Sequence, residues 1–302
     1  RIIEDRWSGS YVACVRQGPT GLAIRLICLD ISDKISKTYM NKHASVFFSA
    51  TLEPISYFAG NFCGKSRDNR PDTLSLPSPF PPENLEVYIC PFIETTYRER
   101  RRTSPDLAKA LALAILLKKG QQLIFFPSFA YMNQVLPLLQ KMLSGQNIEW
   151  QIQKSAMTSY ERKAFLEAFD KPSEGKTLIG LAVLGGVFSE GIDLVGEKLT
   201  GVSIVGVATP QISPERNIMA QYYDQEYRAG FAYAYQYPGM NKVLQAAGRL
   251  IRSEEDKGFL LLFDARYSRP NYRQLLPEEW MTEEVRNLKE LKDYLSPPPP
   301  AE

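Results

Sequence analysis

Histidine is nearly absent: His43 is the only one in this 302-residue chain. Histidine-based metal centres and Ser-His-Asp chemistry are therefore excluded on supply alone. His43 reads as a satisfied or surface side chain, since no residue pattern points to catalytic partners for it. Cysteine is equally sparse. Cys14, Cys28, Cys63 and Cys90 are scattered with no C-x-x-C pair, the wrong spacing for a zinc ribbon or a local iron–sulfur motif. They read as reduced thiols of a cytoplasmic protein, with bridged cysteines in a secreted chain as the alternative. An excess of charge is missing too. Lys and Arg number 36 against 34 Asp and Glu, so no global field advertises a polyanion, and any nucleic-acid contact must come from local basic patches. No apolar run is long enough to span a bilayer, and the basic start lacks the apolar stretch of a signal peptide, so no membrane partner is expected.

What is present is a globular composition, 44% hydrophobic and 23% charged. A chain of this length buries roughly 75% of its unfolded surface and needs no disulfide or metal to fold. It starts without methionine, almost in mid-strand, and so reads as part of something longer. Residues 22–29 and 44–49 are apolar runs of strand length, with a short helix expected at 32–41. Pro71, Pro77, Pro79, Pro81 and Pro82, followed by Arg98, Arg100, Arg101 and Arg102, mark 61–104 as a connector with one possible strand at 85–90.

Regular alternation follows. Ser104 and Pro105 suit a helix start, running to Lys119 and stopped by Gly120. Strands are expected at 122–126, 148–153, 177–184, 201–207 and 258–264. Helices are expected at 128–143 (bent or broken near Pro137), 158–169 behind a Thr158/Glu161 capping box, 214–230 and 239–252. The strands are apolar almost throughout, as in parallel sheets covered by helices. This order predicts an α/β, doubly wound parallel sheet with helices on both faces, over residues 105–290, with 291–302 as a proline-rich tail.

Ligands of such sheets bind beyond the carboxyl ends of the strands. The loop after 177–184 reads Gly185-Gly186-Val187-Phe188-Ser189-Glu190-Gly191-Ile192-Asp193. Its glycines allow close backbone approach and its carboxylates suit nucleotide or cation-mediated contact; a flexible turn with solvated acids is the alternative. In Gln245-Ala246-Ala247-Gly248-Arg249-Leu250-Ile251-Arg252, a helix would put Gln245, Arg249 and Arg252 on one face. Two guanidiniums and an amide suit a polyphosphate, with a solvated basic face as the other reading. The basic stretch Arg98–Arg102 is a candidate for contact with a nucleic-acid backbone, and Phe231, Tyr233, Tyr235 and Tyr237 would share a face if extended, for base stacking, or would pack in the core. Gly175-Lys176-Thr177 imitates the end of a phosphate-binding P-loop, but Asp170 stands where its first glycine belongs, and the triplet precedes a strand. The arginines are ready for a triphosphate; nothing in the chain cradles one.

Four segments in order, Ser49-Ala50-Thr51-Leu52, LIFFPSF at 123–129, GGVFSEGIDLVGEKL at 185–199 and QAAGRLIRS at 245–253, resemble motifs III to VI of superfamily 2 helicases. The flanking GVSIVGVATPQISPERN at 201–217 and YQYPGMNKVLQAAGR at 235–249 are similar to the branch containing DinG and the xeroderma pigmentosum group D (XPD) helicase. The resemblance implies a RecA-like, P-loop NTPase type fold forming the second helicase motor domain, with 1–60 supplying the last strands of the first. It implies that Arg249 and Arg252 reach the ATP γ-phosphate, while Gln245 positions the phosphates or the attacking water beside Gly248. Ser189, Glu190, Gly191 and Asp193 would couple nucleotide to DNA. Pro127 and Ser128 would touch the DNA backbone, and Ser49 and Thr51 would link the two motor domains. The expected function is ATP-dependent, 5′-to-3′ unwinding in DNA repair. ATP with Mg2+ would be shared with an N-terminal motor domain, single-stranded DNA would be the partner, and the protein would be monomeric. A catalytically silent binding module with a helicase-like fold is the alternative. Motifs I and II, and the four-cysteine iron–sulfur domain of many members, are not in this sequence, so the chain alone is expected not to hydrolyse ATP.

Overall fold

The computed structural model describes residues 10–18, 21–63, 71–170, 175–186, 188 and 199–296. The chain forms two compact units, residues 1–76 with 210–241, and residues 77–209 with 242–302.

In the first unit, β1 (Tyr11–Gly18) and β2 (Gly21–Cys28) form an antiparallel hairpin in register from Tyr11 opposite Cys28 to Gly18 opposite Gly21. Helices α1 (Ser32–Tyr39), α2 (Ile55–Cys63) and α6 (Pro214–Tyr227) accompany it. Residues 44–49, expected as a strand, form none: Phe48 is 89% exposed, and without a neighbouring strand an apolar run has nothing to pair with. The aromatic run after α6 is not extended either. Ala232–Gln236 is a π-helical turn leading into α7 (Tyr237–Ala247), so the four rings do not line one extended face but meet in two pairs, Phe231 with Tyr235 and Tyr233 with Tyr237. Tyr233 packs on Tyr57 and Tyr227 with centroids 4.9 Å away, and Tyr235 is buried, its hydroxyl donating to Asn217 Oδ1 at 2.7 Å. For these two rings the core-packing reading holds. Phe231 stays exposed, stacked on Tyr235.

The second unit is a seven-stranded sheet in the order β5-β6-β4-β7-β8-β3-β9, parallel at every pairing. Its strands are β3 (Leu85–Ile89), β4 (Gln121–Phe126), β5 (Ile148–Ile152), β6 (Thr177–Val183), β7 (Gly201–Val205), β8 (Gly258–Phe263) and β9 (Thr282–Glu284). The central strands are buried on both faces, which is why they read as unbroken apolar runs. Each fully buried Leu, Ile or Phe contributes about 1.5–3 kcal/mol. In β7, Gly201 leaves room for the Phe259 ring, which a Cβ would meet at 2.2 Å.

Helices α3 (Arg100–Leu117), α4 (Phe129–Met142), α5 (Ser159–Asp170) and α9 (Leu288–Leu295) flank the sheet, with a short α8 (Pro270–Arg273) before β9. The Thr158/Glu161 capping box forms: Thr158 N–H donates to Glu161 Oε2 at 2.8 Å and Glu161 N–H to Thr158 Oγ1 at 3.2 Å. Two details of these helices differ from expectation. The helix expected from Ser104–Pro105 begins earlier, at Arg100, with the Ser104 hydroxyl donating to the Arg100 carbonyl at 2.5 Å, and it continues through Pro105, which leaves the Arg101 carbonyl without its helical donor. And α4 runs unbroken past Pro137, which lies on the exposed side where water can serve the carbonyl left without a donor. The connector 61–104 is also not merely a connector: its strand β3 sits between β8 and β9, so the sheet unit starts near Pro77, ahead of the expected residue 105.

Candidate functional site

Because every strand of the sheet points the same way, their carboxyl ends share one edge. The ladder continues into the loops there. Leu184 N–H donates to Phe126 O, Gly206 N–H to Phe263 O and Cys90 N–H to Leu262 O, each at 2.8 Å. Pro127 and Ser128 therefore leave β4 next to the Leu184–Gly186 turn leaving β6. Ser128 caps α4, its Oγ accepting from Tyr131 N–H at 3.3 Å.

The glycine-rich loop begins as a built structure. Gly185 has φ +71°, and the Lys242 side chain lies against it so closely that a Cβ would stand 2.7 Å from Nζ. Buried Gln153 accepts the Val183 N–H at 2.8 Å and fixes the strand end. Phe188 is buried and stacks on Phe165 with centroids 4.1 Å apart, anchoring the loop to α5. The candidates Ser189, Glu190, Gly191 and Asp193 lie outside the described residues.

Gln245 lies in the last turn of α7, but the single helical face expected for Gln245, Arg249 and Arg252 does not form. The helix ends at Ala247. Arg249 N–H turns to Ala246 O at 3.4 Å and Leu250 N–H to Ala247 O at 3.0 Å, the tightened i→i−3 bonds of a finishing helix at Gly248. Arg252 then starts a separate turn around buried Asp256, whose Oδ2 accepts the N–H groups of Arg252 and Ser253, both at 2.8 Å. Asn84 Nδ2 ties that turn to the start of β3 through Glu254 O at 2.7 Å. So Gln245, Gly248 and Arg249 stay together, while Arg252 is delivered by its own loop. Arg249 is only 8% exposed, and the Gln245 Oε1 is buried without a hydrogen-bond partner among the described residues. A nearly buried arginine four residues after an amide oxygen that lacks a donor suits a phosphate and a water. Ser49 and Thr51 belong to the first unit. They form an exposed turn in which Thr51 N–H donates to Ser49 Oγ at 3.3 Å.

Sequence reasoning passed over three features of this edge. Lys242 carried a signal, standing one helical turn before Gln245; Gln153 carried none. The third is the cluster at the ends of β8 and β3. Asp264, fully buried, takes Arg266 Nε at 2.7 Å, Nη2 at 2.8 Å and the Arg266 N–H at 2.8 Å, with the Thr95 hydroxyl as a further donor. Burial alone would raise the Asp264 pKa, but the Arg266 hydrogen bonds and charge outweigh it and hold the carboxyl below its ordinary value. No helix of the described residues is long and apolar enough to cross a membrane.

The seven-stranded parallel sheet, with a glycine turn at its carboxyl edge and an amide and a nearly buried arginine at the end of α7, has a RecA-like fold. The chain belongs to the helicase C-terminal domain family, which matches residues 111–283, in the DinG and XPD branch that its motifs resemble. It is 26% identical over 298 residues to ATP-dependent DNA helicase CHL1 of Saccharomyces cerevisiae, covering 88% of this chain and 33% of that protein. The chain thus spans about a third of that relative's length. A solved XPD helicase superposes with a TM-score of 0.65 at 19% identity, over 92% of this chain and 48% of that one. Xpd4 of S. tokodaii does so at 0.59 and 17%, over 88% and 49%. These structures share the fold.

Proposed function

We propose that this chain is the C-terminal motor part of an ATP-dependent DNA helicase, working 5′ to 3′ on single-stranded DNA in repair, as a monomer. Residues 1–60 then complete the first motor domain of the same protein, and ATP with Mg2+ binds chiefly to that domain. The observation that supports the reading is the end of α7, where a nearly buried Arg249 and the unsatisfied Gln245 Oε1 follow Lys242, the side chain that lies against the glycine turn. Those groups fit a nucleotide phosphate. ATP supplies the transferable phosphoryl group. Arg249 would steady the charge on its equatorial oxygens, with Arg252 approaching from the adjacent turn, and Gln245 would orient the attacking water. Among the described residues no cluster of three His, Cys, Asp or Glu side chains could hold a metal. Ser189, Glu190, Gly191 and Asp193 would relay the nucleotide state to DNA held at Pro127 and Ser128, and Ser49 and Thr51 would join the motor domains.

An arginine supplied to a phosphoryl-transfer site accelerates it about 10³–10⁵-fold, roughly 4–7 kcal/mol of barrier. In the full-length protein, Arg249→Ala should reduce DNA-stimulated ATP hydrolysis by about 10³-fold or more, with single-strand affinity nearly unchanged. The 302 residues alone should hydrolyse no ATP. Steady turnover by the chain alone, or equal loss of binding and turnover in the variant, would overturn this assignment. A wild-type full-length protein that binds DNA without any turnover would favour the silent binding module.

A further inference from the structure

Along the carboxyl edge, past the motif-bearing loops of β4 and β6, the ends of β7, β8 and β3 bring Thr209, Arg266, Thr95 and Arg100 into one cluster. Arg100 is half-buried at the start of α3. Its Nε donates to the Thr95 carbonyl at 3.0 Å, and its guanidinium lies 4.8 Å from the Tyr131 ring centre and 5.9 Å from that of Tyr97. Its terminal amino groups have no hydrogen-bond partner and no ion pair among the described residues. Asp264, the carboxylate whose charge acts on it, is already committed to Arg266 and Thr95. Burial and the adjacent Arg266 cation both press the Arg100 pKa down, with Tyr131 opposing. Two arginines thus share one carboxylate, leaving a positive charge whose burial is not compensated. Beside it stands Tyr97, 86% exposed. An aromatic face in water next to a cation with free donors is the pairing by which proteins hold a single strand, base on the ring and phosphate on the guanidinium. Burial holds Arg100 in place, whereas Arg98 and Arg101 on either side are exposed.

Resting on the helicase reading above, we infer that Tyr97 and Arg100 form a second nucleic-acid contact of this unit, a stacking platform with a phosphate site that takes the single strand after it leaves Pro127 and Ser128. Arg266 and Thr209 line the same track: Arg266 Nη1 lies 3.4 Å from the Thr209 hydroxyl. A phosphate arriving here would relieve the repulsion between the two guanidiniums, so occupancy and local stability are linked.

The test is fluorescence anisotropy of a fluorescein-labelled oligothymidylate with the 302-residue chain, titrated with NaCl. Tyr97→Ala should weaken binding roughly 5- to 150-fold, the range for losing one stacked base. Tyr97→Phe should stay within about twofold of wild type, since it keeps the aromatic face. Arg100→Gln should weaken binding and flatten the slope of log K against log salt by about 0.7, one phosphate contact on a single strand. Tyr160→Ala on α5, where the ring is also exposed, should change nothing. Because Arg100 is half-buried, the exposed Tyr97 carries the decision, supported by photocrosslinking of a 5-iodouracil oligonucleotide to the Tyr97 peptide. A wild-type chain that binds with Tyr97→Ala indistinguishable from it would overturn this contact and leave the helicase reading standing. A wild-type chain that fails to bind the oligonucleotide at low salt would overturn both this contact and the single-strand part of that reading. The ATPase result for Arg249 is independent of either outcome.

Discussion

Asp264 sits at the end of β8 with no exposed surface, a position where an ionised carboxylate is destabilising unless donors surround it. The Arg266 fork, the Arg266 N–H and the Thr95 hydroxyl do so, and they hold its pKa below the ordinary value despite burial. The sign of the pH dependence follows. In the unfolded chain the group titrates near pH 4; in the folded chain it titrates lower. Between those values the unfolded state binds more protons, so stability rises with pH across that window and is flat above it. The contribution is complete at neutral pH and disappears as pH falls through the folded value. Asp264→Asn leaves Arg266 buried without its counter-charge, a loss of about 3–5 kcal/mol at neutral pH. Urea unfolding of both proteins should show the gap between them shrinking as pH drops below about 4. A gap independent of pH would mean that the folded carboxyl titrates where the unfolded one does, and a gap that widens as pH falls would mean that it is protonated in the native state at neutral pH.

Elements differ in how openly the sequence declares them, and the differences have physical causes. β4, β6, β7 and β8 are buried on both faces, so each appears as an apolar run and the parallel sheet is legible from the residues alone. β9 is Thr282–Glu284, with no apolar residue to show it, whereas β3 is legible as a possible strand at 85–90 but its place in the sheet is masked by the proline run before it. Arg100 is legible as part of the basic stretch Arg98–Arg102, but its pairing with Tyr97 is not, since that exists only because β3 joins the sheet and turns their loop toward the carboxyl edge. The spacing of Gln245, Arg249 and Arg252 fits a helix, yet α7 stops first, since Gly248 weakens it and Asp256 gathers the following N–H groups into a turn. That capping contact joins residues four apart in a loop, and no periodicity reveals it. Asp256→Ala would leave two N–H groups without their acceptor, at a cost of about 1–3 kcal/mol, and would release Arg252. Asp256→Asn keeps a side-chain oxygen and should recover most of the stability. Thermal unfolding of the two variants checks the first expectation, and ATP hydrolysis by the full-length protein carrying each checks the second. Equal stability of wild type and Asp256→Ala would mean that the turn is held by other contacts.

Across the whole molecule, stability is unevenly distributed. The second unit buries nearly all of its central strands, whereas the β1–β2 hairpin of the first leaves Val15 63%, Leu22 71% and Ile24 72% exposed. A two-stranded hairpin with an uncovered apolar face is marginal in water, so it should open at a small fraction of the global unfolding free energy. Hydrogen exchange followed by mass spectrometry should therefore find residues 11–28 exchanging at the earliest times, and 121–126, 201–205 and 258–263 exchanging last. Equal protection of hairpin and central strands would mean that the apolar face is already covered, by a second copy or by another segment of the chain. The same measurement reaches the domain reading. If residues 1–60 complete the first motor domain, supplying that domain in trans should cover Val15, Leu22 and Ile24 and slow exchange over 11–28, with the central strands of the sheet unchanged. Exchange over 11–28 that ignores the added domain would detach these residues from it, and the hairpin would then need a different partner for its apolar face.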